Sequence, residues 1–319
     1  MIIDCHVHLA AMTALHGGSS DQLLKTLPFR FMRWRLGLVG NDESTERQIE
    51  AKLVETLNGT PELDAAAILA FDQVYTNDGQ PDPARTHLHV TNDYVIEVCK
   101  RHPKMLFGAS INPLRKDAIS ELERCVAAGA VLLKWLPIVQ GFNPADDRFI
   151  PFYEALAHYK LPLLSHTGGE QTLIRLNDEY APPSLLELPL KRGVTVIAAH
   201  CGSRSMPFEP DYLPEFTRMV NQYENLFGDT AALCLPTRKY AIDAILKDSL
   251  VASRLLHGSD WPVIALPPPA RLGVCAYIEL MREKNWMRRD VLIKQRWGFG
   301  DDYWHRAAKL LRLSKQITA

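Results

Sequence analysis

His6 and His8 stand two residues apart at the close of the first apolar run, within Ile3-Asp4-Cys5-His6-Val7-His8. On a strand, residues two apart share a face, so one metal ion can take both imidazoles. Three later runs close in a similar way. Leu161-Pro162-Leu163-Leu164-Ser165 ends on His166, the 194–199 run ends on His200, and Arg254-Leu255-Leu256-His257-Gly258-Ser259 ends on Asp260. Each is a short β-compatible stretch with Gly or Pro just downstream, which reads as a buried parallel strand entering a loop. Neutral imidazoles with a carboxylate suit a borderline divalent ion, zinc before others.

Four such strand ends meet at one place only if the sheet closes on itself. The rest of the chain is built for that. Strand-like stretches at 1–8, 64–71, 104–111, 130–136, 161–166, 194–200, 225–231 and 254–260 alternate with helix-like ones at 41–58, 91–101, 117–129, 149–159, 184–192, 212–223, 237–249 and 270–283. Eight β–α units in this length predict a (β/α)8 TIM barrel, with the shared face of His6 and His8 inside its mouth. An open doubly wound sheet is the rival, and no Gly-x-Gly-x-x-Gly follows the first strand to support it. No linker or composition shift divides residues 1–319, so one domain is expected. Residues 285–319 are expected to add C-terminal helices packed on the outside, and the long 9–40 connection reads as an active-site loop.

Bulk properties narrow the partners. With 47% hydrophobic residues and a formal charge of −1, the chain can bury a large core and carries no electrostatic footprint for nucleic acid or anionic membrane. No apolar run reaches the roughly 18 residues that span a bilayer, and the N-terminus enters a strand directly, leaving no room for a signal peptide. Cys5, Cys99, Cys125, Cys201, Cys234 and Cys275 are scattered without framework spacing, as in a reduced, cytoplasmic protein. Period-2 alternation places Cys5 opposite His6 and His8, outward into the helix layer, and so away from any metal. Cys201 lies past its strand end, where no direction follows. A small-molecule substrate is the expected partner, and a homo-oligomer is compatible with the composition.

The motifs Ile3-Asp4-Cys5-His6-Val7-His8, Ser165-His166, Ala199-His200 and Gly258-Ser259-Asp260-Trp261-Pro262 resemble the amidohydrolase-related proteins of the amidohydrolase superfamily. The stretch Asn92-Asp93-Tyr94 through His102-Pro103, then Phe107-Gly108 and Asn112-Pro113, is similar to that family's helix-to-third-strand region. The resemblance spans residues 1 to about 265. It implies a TIM barrel and metal-dependent chemistry on a small molecule, in a family that holds both hydrolases and decarboxylases. Two departures separate the chain from the decarboxylase pattern. Thr167-Gly168-Gly169-Glu170 stands where those members carry Pro after the strand-five histidine, and Cys201-Gly202-Ser203-Arg204 where they carry Gly-Gly after the strand-six histidine.

Carried onto these positions, the resemblance implies a metal held by His6, His8, His166 and Asp260, with one ion favoured over two. Asp260 also serves as proton shuttle. His200 orients or polarises water or substrate in a one-metal site and becomes a ligand in a two-metal one. His257 is read as structural. Lys134 sits within the fourth strand among apolar neighbours, where burial should lower its pKa. In two-metal members the lysine at this place forms a bridging carbamate; the alternative is contact with a substrate carboxylate or water. Arg30, Arg33 and Arg35, interleaved with Phe29, Phe31 and Trp34, are candidates to bind an anionic substrate, with Arg204 and Glu170 behind them.

The expected reaction is hydrolysis of an amide, lactone or ester by metal-activated water, with Asp260 and His200 catalytic. Non-oxidative decarboxylation of a small carboxylic acid is the alternative. A barrel that binds without turnover is disfavoured by the intact ligand set.

Overall fold

The computed structural model describes residues 1–267 and 269–313. Eight parallel strands run in chain order around a barrel: β1 (Ile3–His8), β2 (Ala65–Leu69), β3 (Met105–Ala109), β4 (Leu132–Trp135), β5 (Leu163–His166), β6 (Val196–Ala199), β7 (Leu226–Asp229) and β8 (Leu255–Leu256). The last strand is shorter than its sequence suggests. Closure is completed by the chain beyond it, where Cys5 N donates to His257 O (3.0 Å), Asp260 N to His6 O (2.9 Å) and His8 N to Trp261 O (2.8 Å). His6 on the first strand and Asp260, just past the last, are therefore hydrogen-bonded backbone to backbone. Their relative placement is fixed by the seam itself.

Alternation along the strands sorts the core into two layers. Ala66, Ile68, Phe107, Leu133, Trp135, Leu163 and Val196 pack outward with helical residues such as Leu53, Leu57, Val95 and Leu156. Ala65, Ala67, Leu69, Leu106, Leu132, Leu164 and Ile197 fill the interior. Cys5 belongs to the interior set, with Ile3, and not to the helix layer that strict alternation predicts. The cause is an irregularity in the β1–β2 register between Asp4 and Val7, where three steps on β1 match two on β2. An extra residue in one strand resets which face its neighbours take. Cys5 remains a buried thiol whose pKa burial pushes well up, which still disfavours it as a ligand.

The helices form where the sequence caps and patterns them. Glu43–Asn58 begins with a capping box between Asp42 and Thr45 and buries Ile49, Leu53 and Leu57 at helical spacing. The C-terminal pair divides its work. Met287, Val291 and Ile293 of the helix Trp286–Arg296 join the outer layer. From the helix Asp301–Leu310 and its end, Ala307 and Leu311 pack with Ile3, Leu106 and Leu132, and Arg312 N bonds Val131 O just before β4 (3.0 Å). This last helix covers the barrel floor, a position that outward packing did not anticipate. Residues 314–319 of the expected C-terminal segment lie outside the described residues. Among those described, no helix is long and apolar enough to cross a membrane.

Residues 9–40 are not a plain loop. Gly17–Ser19 pairs antiparallel with Leu88–Val90, and two helices follow, Asp21–Leu24 and Leu27–Leu36. Gly17, at φ +120°, admits no side chain, since a Cβ there would lie 2.4 Å from His89 O. Buried Glu46 ties this segment down. Its Oε1 accepts Met12 N (2.6 Å), Thr13 N (2.7 Å) and Thr13 Oγ1 (3.0 Å), and its Oε2 meets His16 Nδ1 (2.6 Å).

Candidate metal centre

At the C-terminal mouth, His6 Nε2 and His8 Nε2 stand 3.1 Å apart, with Asp260 Oδ1 3.3 Å from the first and 3.0 Å from the second. These three residues offer ligand atoms that all lie within 4.8 Å of one another. Asp260 holds its place with a left-handed backbone (φ 64°), and His200 does the same (φ 59°). Such conformations cost a non-glycine residue energy, and they recur where side-chain aim matters more than local comfort. His200 opens a short 3₁₀ turn past β6 and does not belong to the strand itself.

His166 is not one of this trio but lines the same cavity. Its ring packs edge-on to His200 at 4.9 Å, and the His200 ring lies 5.4 Å from that of His6. His166 Nε2 is buried and has no hydrogen-bond partner. A buried orphan nitrogen is costly unless something binds it, and a cation is what the neighbouring donors also invite. Burial pushes the pKa of His6, His166 and His200 well down, with Lys134 adding to the effect on His6 and His166. Burial thus favours the neutral form of these three imidazoles, the form that ligates a cation. Burial alone would raise Asp260, but His6 and His8 outweigh it and hold the carboxyl below its ordinary range. The donor set fits a divalent ion.

Lys134 is fully buried, and its Nζ lies 3.0 Å from His6 Nε2. Burial lowers its pKa to about 8, against the pull of Asp229, Asp260 and Glu170. Glu170 lines the cavity, its Oε1 fixed by Thr172 N and Leu173 N (2.9 Å for Leu173) and its Oε2 3.9 Å from His166 Nδ1.

Above this floor the cavity is walled by Leu9, Met12, Phe29, Met32, Leu36 and Leu173, among other apolar chains. The 9–40 segment therefore contributes much of the wall. Of its three arginines, only Arg33 reaches the cavity, with Nη2 on Gly40 O (2.5 Å) and Nη1 buried without a partner. The helix explains the difference. Phe29, Met32, Arg33 and Leu36 share one face by the i, i+3, i+4, i+7 rule, so Arg30 is turned out to solvent and Arg35 stacks on Trp34 and Trp286. Arg204 likewise lies over the Tyr240 ring (4.8 Å), outside the cavity lining.

Three residues escaped the sequence reading. Asp229, at the end of β7, places Oδ2 2.7 Å from His6 Nδ1, although only a strand was expected there. It is an apolar run closing on an acid, the same signal that marked Asp260. Burial raises its pKa, opposed by the His200 amide and Lys134. Asp4 Oδ1 accepts both His6 N (3.1 Å) and Ser259 N (2.9 Å), joining the two ends of the barrel, and burial lifts its pKa to about 7. Arg238 donates to Ser203 O (3.0 Å) and Gly169 O (2.6 Å), clamping the loops after β6 and β5 together. Those loops hold the two departures noted in the sequence. They press so closely that a Cβ on Gly168 would meet Ser203 O at 2.3 Å, while Thr167 Oγ1 bridges Ala199 O and Gly202 N. Cys201 is held in the same region, its Sγ on Asp229 O (3.2 Å) and its thiol pushed well up by burial. His257 is buried against Tyr303 and Trp304.

A sequence model of the amidohydrolase family matches residues 3–281. The chain belongs to the amidohydrolase family. No curated protein matches it in sequence. Among solved structures, it is similar to an uncharacterised TIM-barrel protein from Bordetella bronchiseptica, at 19% identity and TM-score 0.60, over 93% of this chain and 99% of that one. A putative 2-pyrone-4,6-dicarboxylic acid hydrolase from Pseudomonas putida gives 13% identity and TM-score 0.58 over 99% and 96%. The 5-carboxyvanillate decarboxylase of Sphingomonas paucimobilis gives 14% and 0.55 over 98% and 99%. At these identities the likeness establishes the barrel, and this amidohydrolase-family chain shares it with hydrolases and decarboxylases alike.

Proposed function

We propose that this amidohydrolase is a metal-dependent hydrolase acting on a carbonyl, as amide, lactone or ester, of a small substrate with an apolar body. The observation that carries the reading is the position of Asp260, an ionised carboxylate 3.0 Å from His8 Nε2 and 3.3 Å from His6 Nε2. A base so placed is within reach of a water at the shared ligand atoms. His6, His8, His166 and Asp260 would hold one divalent ion, which we take to be zinc, supplying Lewis acidity toward water and a carbonyl oxygen. Asp260 takes the proton of the attacking water and delivers it to the leaving group. His200, its Nδ1–H given to Ala231 O (2.8 Å), keeps the Nε2 lone pair to accept a hydrogen bond from the attacking water and orient it. The apolar wall excludes water and seats the substrate body, and the free Nη1 of Arg33 suits one acidic group at most. The 9–40 segment thereby acts as the active-site lid of a single catalytic domain. Scattered free cysteines support a cytoplasmic setting.

Decarboxylation has support of its own in Glu170, a cavity carboxyl raised by burial that could protonate a carbon. Metal-depleted protein, reloaded with zinc and offered esters, lactones, amides and hydroxybenzoates, separates the two. Acid release from a neutral carbonyl supports hydrolysis, and CO2 release without it overturns that reading.

A further inference from the structure

The carboxylate of Asp229 is shared between two histidines of the site. Oδ2 faces His6 Nδ1 at 2.7 Å, while Oδ1 accepts His200 N (2.8 Å) and Ala231 N (3.1 Å). The Ala231 carbonyl then meets His200 Nδ1 at 2.8 Å. A main-chain carbonyl only accepts, so His200 carries its proton on Nδ1. We propose that Asp229 is the positioning residue of the centre, holding His6 as the Nδ1–H form and fixing the turn that does the same for His200, so that both Nε2 lone pairs face the ligand site. The inference rests on the proposed metal centre, though not on which reaction occurs there.

Independent contacts agree with this assignment. Lys134 Nζ, 3.0 Å from His6 Nε2, carries N–H groups that an Nε2 lone pair can accept. Asp229 is itself completely buried, so its side chain has no access to solvent and its two oxygens are committed to these partners. Hydrogen bonds to the far nitrogen of a ligating imidazole fix its tautomer and strengthen it as a ligand.

Asp229→Asn gives this a sharp test, because the amide has only one sensible orientation. Its oxygen must stay on the His200 and Ala231 amides, so its NH2 faces His6 Nδ1. A donor there forces the His6 proton onto Nε2, aimed at the ligand site, while His200 is undisturbed. ¹⁵N spectra of the metal-free protein read both tautomers directly. The expected result is Nδ1–H for His6 and His200 in the wild type, and a switch to Nε2–H at His6 alone in the variant. Zinc affinity, measured by competition with a chromophoric chelator, should fall by roughly 10–100-fold. Asp229→Ala, which supplies neither donor nor acceptor, should give mixed His6 tautomers and a smaller loss. Nε2–H at His6 in the wild type would overturn the proposal whether or not either variant folds. Unchanged zinc affinity in a variant whose tautomer has switched would overturn it too. A wild type that binds no zinc removes the metal centre, and this inference with it.

Discussion

Asp260 Oδ1 lies 3.0 Å from His8 Nε2, although 252 positions separate the two in the chain. The barrel seam brings them together, and each is held beside the contact by a backbone hydrogen bond across the seam, Asp260 N on His6 O and His8 N on Trp261 O. A contact with such backbone support is preorganised, which is what proton transfer in a single step requires.

The first expectation concerns that carboxylate. Asp260→Asn preserves shape and removes the base. We predict a fall in turnover of roughly 10²–10⁴-fold, the contribution of general acid–base catalysis. Metal content should fall less, since His6, His8 and His166 remain. Near-normal turnover with full metal would make Asp260 structural.

Arg33 is the second. A hydrogen bond to a charged group is worth about 1.5–3 kcal/mol, so Arg33→Met should raise KM for an acid-bearing substrate by roughly 10–100-fold. KM for a neutral substrate should hardly move. Arg30→Met and Arg35→Met serve as controls, because their side chains point away from the cavity. If those controls matched Arg33→Met, the helix face would be misassigned.

Glu46 allows a pH test away from the metal. Burial pushes its carboxyl up, but the Thr13 and Met12 amides, His16 and Thr13 Oγ1 together bring it below the ordinary range. A carboxyl depressed in the folded state binds fewer protons there than when unfolded. Its stabilisation is therefore present above the unfolded value, about 4.3, and is lost as pH falls through the folded one. Glu46→Gln should lower stability at pH 7 by about 1–3 kcal/mol. The gap to wild type, read from urea midpoints, should close below about pH 4. A gap constant from pH 7 to pH 3 would show that the charge plays no part in anchoring residues 9–20.

What the sequence made legible was whatever follows from local pattern. Apolar runs closing on His166, His200 and Asp260 marked their strand ends, and the alternation of segments marked the barrel. Asp229 carries the same mark, but a lone acid after Leu226-Phe227-Gly228 gives no hint that β7 stands where it can reach His6. Cys5 departs from its pattern for another reason. Period-2 reasoning assumes an unbroken ladder, and the register irregularity between Asp4 and Val7 is set by pairing with β2, not by β1 alone. The arginines show a third limit. Until Leu27–Leu36 is known to be a helix, nothing separates Arg33 from Arg30 and Arg35, whose spacing reads equally well as an irregular loop.

The claim on which the rest depends is that this centre uses a bound divalent ion for hydrolysis. Titrating metal-depleted protein with zinc, while following both acid release from a panel of apolar esters, lactones and amides and CO2 release from hydroxybenzoates, addresses it most directly. The account predicts that hydrolysis appears in proportion to zinc and saturates at one ion per chain, and that His6→Ala/His8→Ala neither binds the ion nor responds. Hydrolysis at full rate without any ion, or CO2 release as the only zinc-dependent activity, would contradict it.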